Sequence, residues 1–192
     1  PTSFATFMRK YLDNARIGKV KQIGFDRVLE FEVFKAEGDY RLIFELFGGG
    51  NVLLVEAGKI INCLIHKVMR DRSVKPGEDY VMPKPRFDPT SSPIEEFVEI
   101  IRASEADAVR TLATGANLGG QYAEEVCKRA AIEKNKKISE LTDSDIESLY
   151  GSMKSVVKQM ESPESMLYRN EKEVLDITPI EMTIYEGATC ER

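Results

Sequence analysis

Apolar residues recur over the first dozen positions at helical spacing: Phe4, Phe7, Met8, Tyr11 and Leu12 fall on one face of a 3.6-residue repeat. Ser3 precedes them as the expected N-cap, and Arg9 and Lys10 lie on the other face. From Ile17 the period changes to two. Leu29, Phe31 and Val33 alternate with Glu30 and Glu32, and Leu42, Phe44 and Leu46 alternate with Arg41 and Glu45. Such alternation predicts half-buried antiparallel strands, apolar on one face and charged on the other. Turn residues at Glu37-Gly38-Asp39, Gly48-Gly49-Gly50-Asn51 and Ala57-Gly58-Lys59 divide the stretch from Ile17 to Ile65 into about five strands.

Prolines at 76, 83, 85, 89 and 93 then interrupt the pattern. Proline donates no ladder hydrogen bond and disfavours helix in the residue before it, so this stretch reads as a connector. Ser92, Pro93 and Glu95 predict a capping box ahead of Ile94, Phe97, Val98 and Ile101. Ser104 and Asp107 start a second helix that ends near Gly115, and Leu118-Gly119-Gly120 introduces a third carrying Tyr122, Val126, Cys127 and Ala130. Thr142 with Asp145 starts the longest, with Ile146, Leu149, Tyr150, Met153, Val157 and Met160 inward. Met182 to Tyr185 reads as a late strand that pairs back with the first sheet. The expectation is an α+β chain with a β-rich segment 1–82, a helical segment 83–162, and return strands 163–192 packing on the first segment.

Charge is uneven along this chain. The net charge is −5, with Lys+Arg 27 against Asp+Glu 32. Residues 1–75 hold 13 basic and 9 acidic residues, or +4, which leaves 14 against 23, or −9, for the rest. A polyanion would therefore meet the first segment. Arg9, Lys10, Arg16, Lys19, Lys21 and Arg27, with Lys67, Arg70, Arg72 and Lys75 further on, can gather on one face and contact phosphates, or can be ordinary solvated charge. No apolar run approaches the roughly 20 residues of a membrane span. No targeting leader is visible at Pro1, and a start without methionine suggests a piece of a longer protein.

Little catalytic chemistry is available. His66 is the single histidine and Cys63, Cys127 and Cys190 lack metal-ligand spacing, so no zinc site and no cofactor are expected; free cysteines fit a reducing cytoplasm. One histidine without a GxSxG elbow argues against a hydrolytic triad. Gly48 to Gly50 can cradle a phosphate through backbone amides, yet no GK[ST] follows, and a hairpin turn is the simpler reading. Gly24-Phe25-Asp26-Arg27 falls between two strands, where Asp26 can bond turn amides or can orient an outward Arg27 toward phosphate or a base edge. Gly119 and Gly120 feed a helix N-terminus whose amides can face phosphate, or they form a packing crossover with Tyr122 in the core.

Three stretches together resemble the NFACT family, also called fibronectin-binding-protein-A-like: Phe7 to Val33, Leu42 to Val55 followed by Gly58 to Ile60, and Leu118 to Ile132, with Asp176-Ile177-Thr178-Pro179-Ile180 similar to the family's return strand. The resemblance implies a ribosome quality-control factor, not an enzyme, that binds the obstructed large ribosomal subunit, its ribosomal RNA and tRNA, and supports message-independent tailing of stalled chains. It places the family's tRNA-engaging Asp-Arg pair on Asp26 and Arg27. The family's first helix and strands, coiled coil and later domain are missing here, so this chain alone is expected to fail at tailing and to dimerise, if at all, through the truncated edge. The resemblance also implies a β-sandwich similar to the N-terminal domain of formamidopyrimidine-DNA glycosylase, followed by a helix-two-turn-helix or helix-hairpin-helix module. Glycosylase chemistry itself does not fit: Thr2 follows Pro1 where those enzymes have glutamate, and their zinc finger is absent. Fibronectin adhesion, the other alternative, lacks a visible surface signal.

Overall fold

The computed structural model describes residues 1–84 and 86–192; Pro85, one of the connector prolines, lies outside the described residues. The chain forms two compact units, 1–85 and 86–192.

Unit 1 opens with helix α1 (Ser3–Leu12), followed by β1 (Arg16–Gln22), β2 (Val28–Lys35), β3 (Gly38–Glu45), β4 (Asn51–Glu56) and β5 (Lys59–Cys63). Thr2 caps α1 in place of the expected Ser3, its hydroxyl accepting from the Ala5 amide at 3.2 Å. The five strands form an antiparallel meander in chain order. At the β4–β5 turn Ala57 and Gly58 both have positive φ, 47° and 84°, the geometry that matches a tight hairpin to strand twist.

Strands β2 to β4 carry buried residues on both faces, which corrects the half-buried reading, whereas β1 is exposed along nearly its whole length. On one face Phe7, Met8, Tyr11 and Leu12 of α1 close over Val33, Tyr40 and Leu54. On the other, Val28, Ile43, Leu53, Val55, Ile60 and Cys63 pack with Val74 and Tyr80. Expected wet positions are therefore interior: Glu30 and Glu45 are buried, whereas Leu46, expected inward, is half exposed. The second layer of the expected sandwich is reduced to a two-stranded hairpin, β6 (Lys67–Val68) with β7 (Ser73–Val74), and the chain that follows it.

Glu45 is tied down by that layer. Arg72 Nη2 meets its carboxylate oxygens at 2.6 and 2.5 Å, Tyr80 Oη donates to Oε1 at 3.1 Å, and Arg72 Nη1 donates to the Val81 carbonyl at 3.0 Å. Burial, then the charge on Glu45, pushes the Tyr80 hydroxyl pKa upward, so it remains a donor. The proline-bearing connector is not slack here: Gly77 N donates to Ile60 O, Ile60 N to Glu78 O and Tyr80 N to Gly58 O, at 2.8 to 2.9 Å. These bonds cover the β5 edge and leave β1 as the sheet's open edge.

Unit 2 holds α2 (Ile94–Arg102), α3 (Ala108–Thr114), α4 (Gly119–Arg129) and α5 (Asp143–Gln159), then β8 (Met166–Arg169), β9 (Val174–Thr178) and β10 (Thr189–Glu191). Asp107 caps α3, and Thr142 with Asp145 starts α5 as expected, through a capping box. The box expected at Ser92 is not formed. Pro93 occupies the N-cap without a side-chain bond, and the Ser92 amide donates to the Asp88 carbonyl at 2.8 Å, while the Ser92 carbonyl accepts from Tyr150 Oη and Lys154 Nζ, both at 3.0 Å.

The three strands form their own sheet, ordered β10-β8-β9, and share none with β1–β5. Met166, Tyr168, Ile180 and Met182 join Phe97, Leu112, Val126 and Met153 in one core. The expected late strand over Met182 to Tyr185 is replaced by a 3-10 turn, Thr183–Tyr185. Glu125 explains the change. Fully buried, its carboxylate accepts from Arg129 Nε at 2.6 Å, the amides of Thr183 and Ile184 at 3.0 Å each, and the Thr183 hydroxyl at 3.2 Å. Amides spent on a carboxylate cannot join a sheet ladder.

Asp176 on β9 accepts from Tyr185 Oη at 2.5 Å, the Ile177 amide at 2.8 Å and Gln121. The Tyr185 bond foremost holds its carboxyl below the usual range. A depressed folded pKa contributes stability above the unfolded value, which is lost as pH falls through the folded value. Asp176→Asn is therefore expected to lose part of its stability at neutral pH and to lose less on acidification below about pH 4. Paired urea melts at pH 7 and pH 3 check this; equal losses in both proteins would refute it.

Candidate nucleic-acid interface

The sheet carries the candidate cations, and its strand direction spreads them apart. Arg16 and the end of α1 lie at one end: Lys35 Nζ donates to the Lys10 carbonyl at 2.8 Å, and the Arg16 guanidinium sits 5.7 Å from the centre of the Phe34 ring. Arg9, Lys10, Arg16 and Lys19 are exposed. Lys35 is a further cation that sequence reading left out. Lys21, midway, is paired with the buried Glu30 at 2.9 Å, and Arg41 approaches the same carboxylate at 3.3 Å. Much of the positive field of Lys21 is thereby cancelled, which removes it from the strong phosphate candidates. Asp26 and Arg27 follow β1 at the opposite end, about 20 Å from Arg16 by the rise of an extended strand.

The turn that holds them is well determined by its bonds. Gly24 adopts φ 56°, Ile23 N donates to Val28 O at 2.9 Å, and Gln22 Nε2 donates to Asp26 O at 2.9 Å. Asp26 Oδ1 accepts from the Arg27 amide at 2.7 Å, and the Arg27 carbonyl accepts from Leu46 N at 2.7 Å. Asp26 thus fixes the backbone of Arg27 and does not hold its guanidinium. The Arg27 side chain is exposed, with no ion-pair partner among the described residues. Its planar donor fork is left for an external acceptor.

Two contacts that the sequence did not show bring Lys67 and the Gly48–Gly50 turn to this end. Lys67 Nζ donates to Gly48 O at 3.2 Å, and the Asn51 side chain bonds both the amide and carbonyl of Ile65. The glycine turn and the chain leading into β6 therefore sit beside the Asp26–Arg27 turn. Polar Asn51, buried next to three glycines, was the available signal that this turn anchors a second segment.

Gly119 and Gly120 lie in unit 2, away from this cluster in the chain. Gly119 has φ 73°, Leu118 supplies no side-chain cap to α4, and a Cβ on either glycine would meet nothing within 4 Å. Gln121, the next residue, is bonded to Asp176 and Tyr185, so a carboxylate stands close to this helix start. Tyr122 packs against the helical core.

The buried thiols are poor nucleophiles: burial pushes Cys127 up to about 11 and raises Cys63 as well. No group of three metal-ligating side chains converges among the described residues, and no helix there is long and apolar enough to cross a membrane.

Comparison with known proteins gives this geometry a lineage. The family model for NFACT N-terminal and middle domains matches residues 1–191. The archaeal Rqc2 homolog aRqcH of Methanocaldococcus jannaschii is 32% identical over 197 residues, covering 97% of this chain and 29% of that protein. Mouse ribosome quality control complex subunit NEMF is 30% identical over 155 residues, covering 78% and 15%. The chain thus spans less than a third of either relative. Among solved structures, the fibrinogen binding protein from Staphylococcus aureus superposes with TM-score 0.71 at 21% identity, covering 100% of this chain and 71% of that one. Lactococcus lactis Fpg bound to abasic-site DNA superposes with TM-score 0.52 at 20% identity, covering 80% and 64%; at that identity the likeness is one of fold. With nearly every residue inside the family model, this chain belongs to the NFACT family and carries its N-terminal and middle domain region.

Proposed function

We propose that this protein acts in ribosome quality control, engaging the obstructed large ribosomal subunit and tRNA in the cytoplasm to support message-independent tailing of stalled nascent chains. The observation that carries this reading is the Asp26–Arg27 turn: a carboxylate rigidifies the backbone while the guanidinium is presented unpaired to solvent. With the backbone already fixed, only side-chain freedom is lost when the guanidinium grips phosphate. Membership of a family whose members are named as quality-control subunits supports it. In this reading the protein positions tRNA and the ribosome performs the peptide chemistry. Arg9, Lys10, Arg16 and Lys19 at the far end add a second, weaker phosphate contact. The Gly119–Gly120 start of α4 serves as a small contact to ribosomal RNA, in the manner of a helix-hairpin-helix module, limited by Asp176 nearby.

The test is pull-down of the tagged protein at its natural length from cells of its own source, with Asp26→Ala, Arg27→Ala beside wild type, and sequencing of bound RNA. Large-subunit RNA with tRNA is expected on wild type, and tRNA is expected to fall at least several-fold on the variant. If neither RNA is enriched on wild type, the quality-control reading fails. If the variant retains tRNA in full, the site fails.

A further inference from the structure

The Asp26–Arg27 turn is one corner of a larger rim. Residues 46–50 adjoin it through the bond from Leu46 N to Arg27 O, and Lys67 adjoins 46–50 through its bond to Gly48 O. The hairpin bearing Lys67 is fixed in turn: Arg72, two residues beyond the exposed Arg70, is buried on Glu45 at the end of β3. This one end of unit 1 thus carries Arg27, Lys67 and Arg70. Asp26 is spent on a backbone amide and Asp71 is paired with Lys84 at 3.3 Å.

Between the cations the backbone lies bare. Gly48, Gly49 and Gly50 have φ of 55°, 85° and 75°, which only glycine adopts three times in succession at low cost. A Cβ on Gly48 or Gly49 would meet nothing within 4 Å, so packing does not demand glycine there. The amides of Gly48 and Gly49 have no partner among the described residues. Around this loop stand apolar side chains that unit 1 does not bury: Leu46, Leu64, Val68 and Met69, the third of them 79% exposed.

We infer that this rim is a docking surface for a bent or looped RNA strand. Arg27, Lys67 and Arg70 meet successive phosphates, the glycine loop lets the sugar-phosphate backbone come within hydrogen-bonding distance of free amides, and Val68 and Met69 lie against an unstacked base or ribose. The inference rests on the tRNA reading of Arg27 and widens that site to a second and third segment. Charge complementarity selects RNA: a purely apolar partner would leave three cations facing it, and free amides beside cations suit an anion. Apolar side chains among the cations suit a strand whose bases are splayed rather than a regular duplex.

The experiment measures tRNA binding to the natural-length protein over a salt series, for wild type, Arg27→Ala, Arg70→Gln, Lys67→Gln with Arg70→Gln, and Val68→Ser with Met69→Ser. The basic double variant is expected to bind about 10-fold more weakly, and its plot of log affinity against log salt to flatten by about 1.4 to 1.8, the share of two phosphates. The serine pair is expected to weaken binding several-fold with an unchanged slope, because it removes no charge. Arg70→Gln alone guards against misfolding, since Arg70 is exposed and its loss should leave the melting temperature at the wild-type value while flattening the slope. If Arg27→Ala weakens binding but the hairpin variants match wild type in affinity and slope, the tRNA reading stands and the wider rim is refuted. If wild type does not bind tRNA, both fall together. Unchanged RNA affinity in the hairpin variants with loss of a protein partner would make the rim a protein interface and overturn the inference.

Discussion

Arg72→Ala is expected to destabilise unit 1 by about 3 to 5 kcal/mol, the usual cost of leaving one member of a buried ion pair without its partner. Both side chains are inaccessible, at 6% and 2% of their free exposure, so water cannot replace the lost guanidinium. The loss has three parts. Glu45 is stranded among Ile43, Leu53 and Tyr80, the Val81 carbonyl loses its donor, and the hairpin β6–β7 loses its clamp. Urea denaturation followed by hydrogen exchange locates the effect. Protection should fall over β3 to β5 and over 64–82, and the peptides of unit 2 should be unchanged. Replacing both partners, Glu45→Met with Arg72→Met, should cost less than Arg72→Ala alone, since an apolar pair strands no charge. A loss below 1 kcal/mol for Arg72→Ala, or a double variant no better than the single, would refute this account of the pair.

Glu125→Ala is expected to cost unit 2 a similar amount, about 3 to 5 kcal/mol, and to act at a distance in sequence. The carboxylate joins α4 to residues 58 and 59 positions later. Its removal leaves the amides of Thr183 and Ile184 and the Arg129 guanidinium without that acceptor. Arg129 keeps bonds to Gln159 at 3.1 Å and to the Glu181 carbonyl at 2.7 Å, so the 3-10 turn should bear most of the change. Exchange should rise first at 181–186 and at the β10 pairing. Glu125→Gln, which retains one acceptor oxygen but faces Arg129 with an amide, should fall between wild type and alanine. Unchanged exchange at 181–186 in Glu125→Ala would show that the turn is held by its apolar neighbours instead.

Periodicity located the strands of unit 1 well and misjudged their environment. Leu42-Ile43-Phe44-Glu45 reads as alternation with a wet face, but that reading assumes one covered side. A helix on one face and a hairpin on the other cover both. In such a sheet a carboxylate in the strand marks a buried ion pair, and its partner Arg72 lies 27 residues away, beyond any local pattern. The Asp26–Arg27 turn was visible as Gly24 between two alternating runs, although only the folded turn shows that the carboxylate serves the backbone. Lys21 illustrates the opposite failure: it looks like any other cation until Glu30 is found beside it. In unit 2 the caps at Asp107 and Thr142 were legible because capping is local. The capping box at Ser92 failed because the Ser92 amide that the box would bond donates to the Asp88 carbonyl at 2.8 Å, and the strand over 182–185 failed because Glu125, distant in sequence, claimed the amides that a ladder needs.

The meander of β1 to β5 also sets an order of events during synthesis. Among β1 to β5 each strand pairs only with its neighbours in sequence, so every strand pairing closes across a short turn, and only the outer edge of β5 and the Glu45 carboxylate wait for residues 72–80. Topologies of this local kind reach their native contacts quickly. Unit 1 can therefore zip up hairpin by hairpin as its residues emerge from a ribosome. Unit 2 must wait until Thr183 and Ile184 arrive to receive the Glu125 carboxylate, and the nascent chain passes through a stage in which a finished sheet precedes an unfinished helical body.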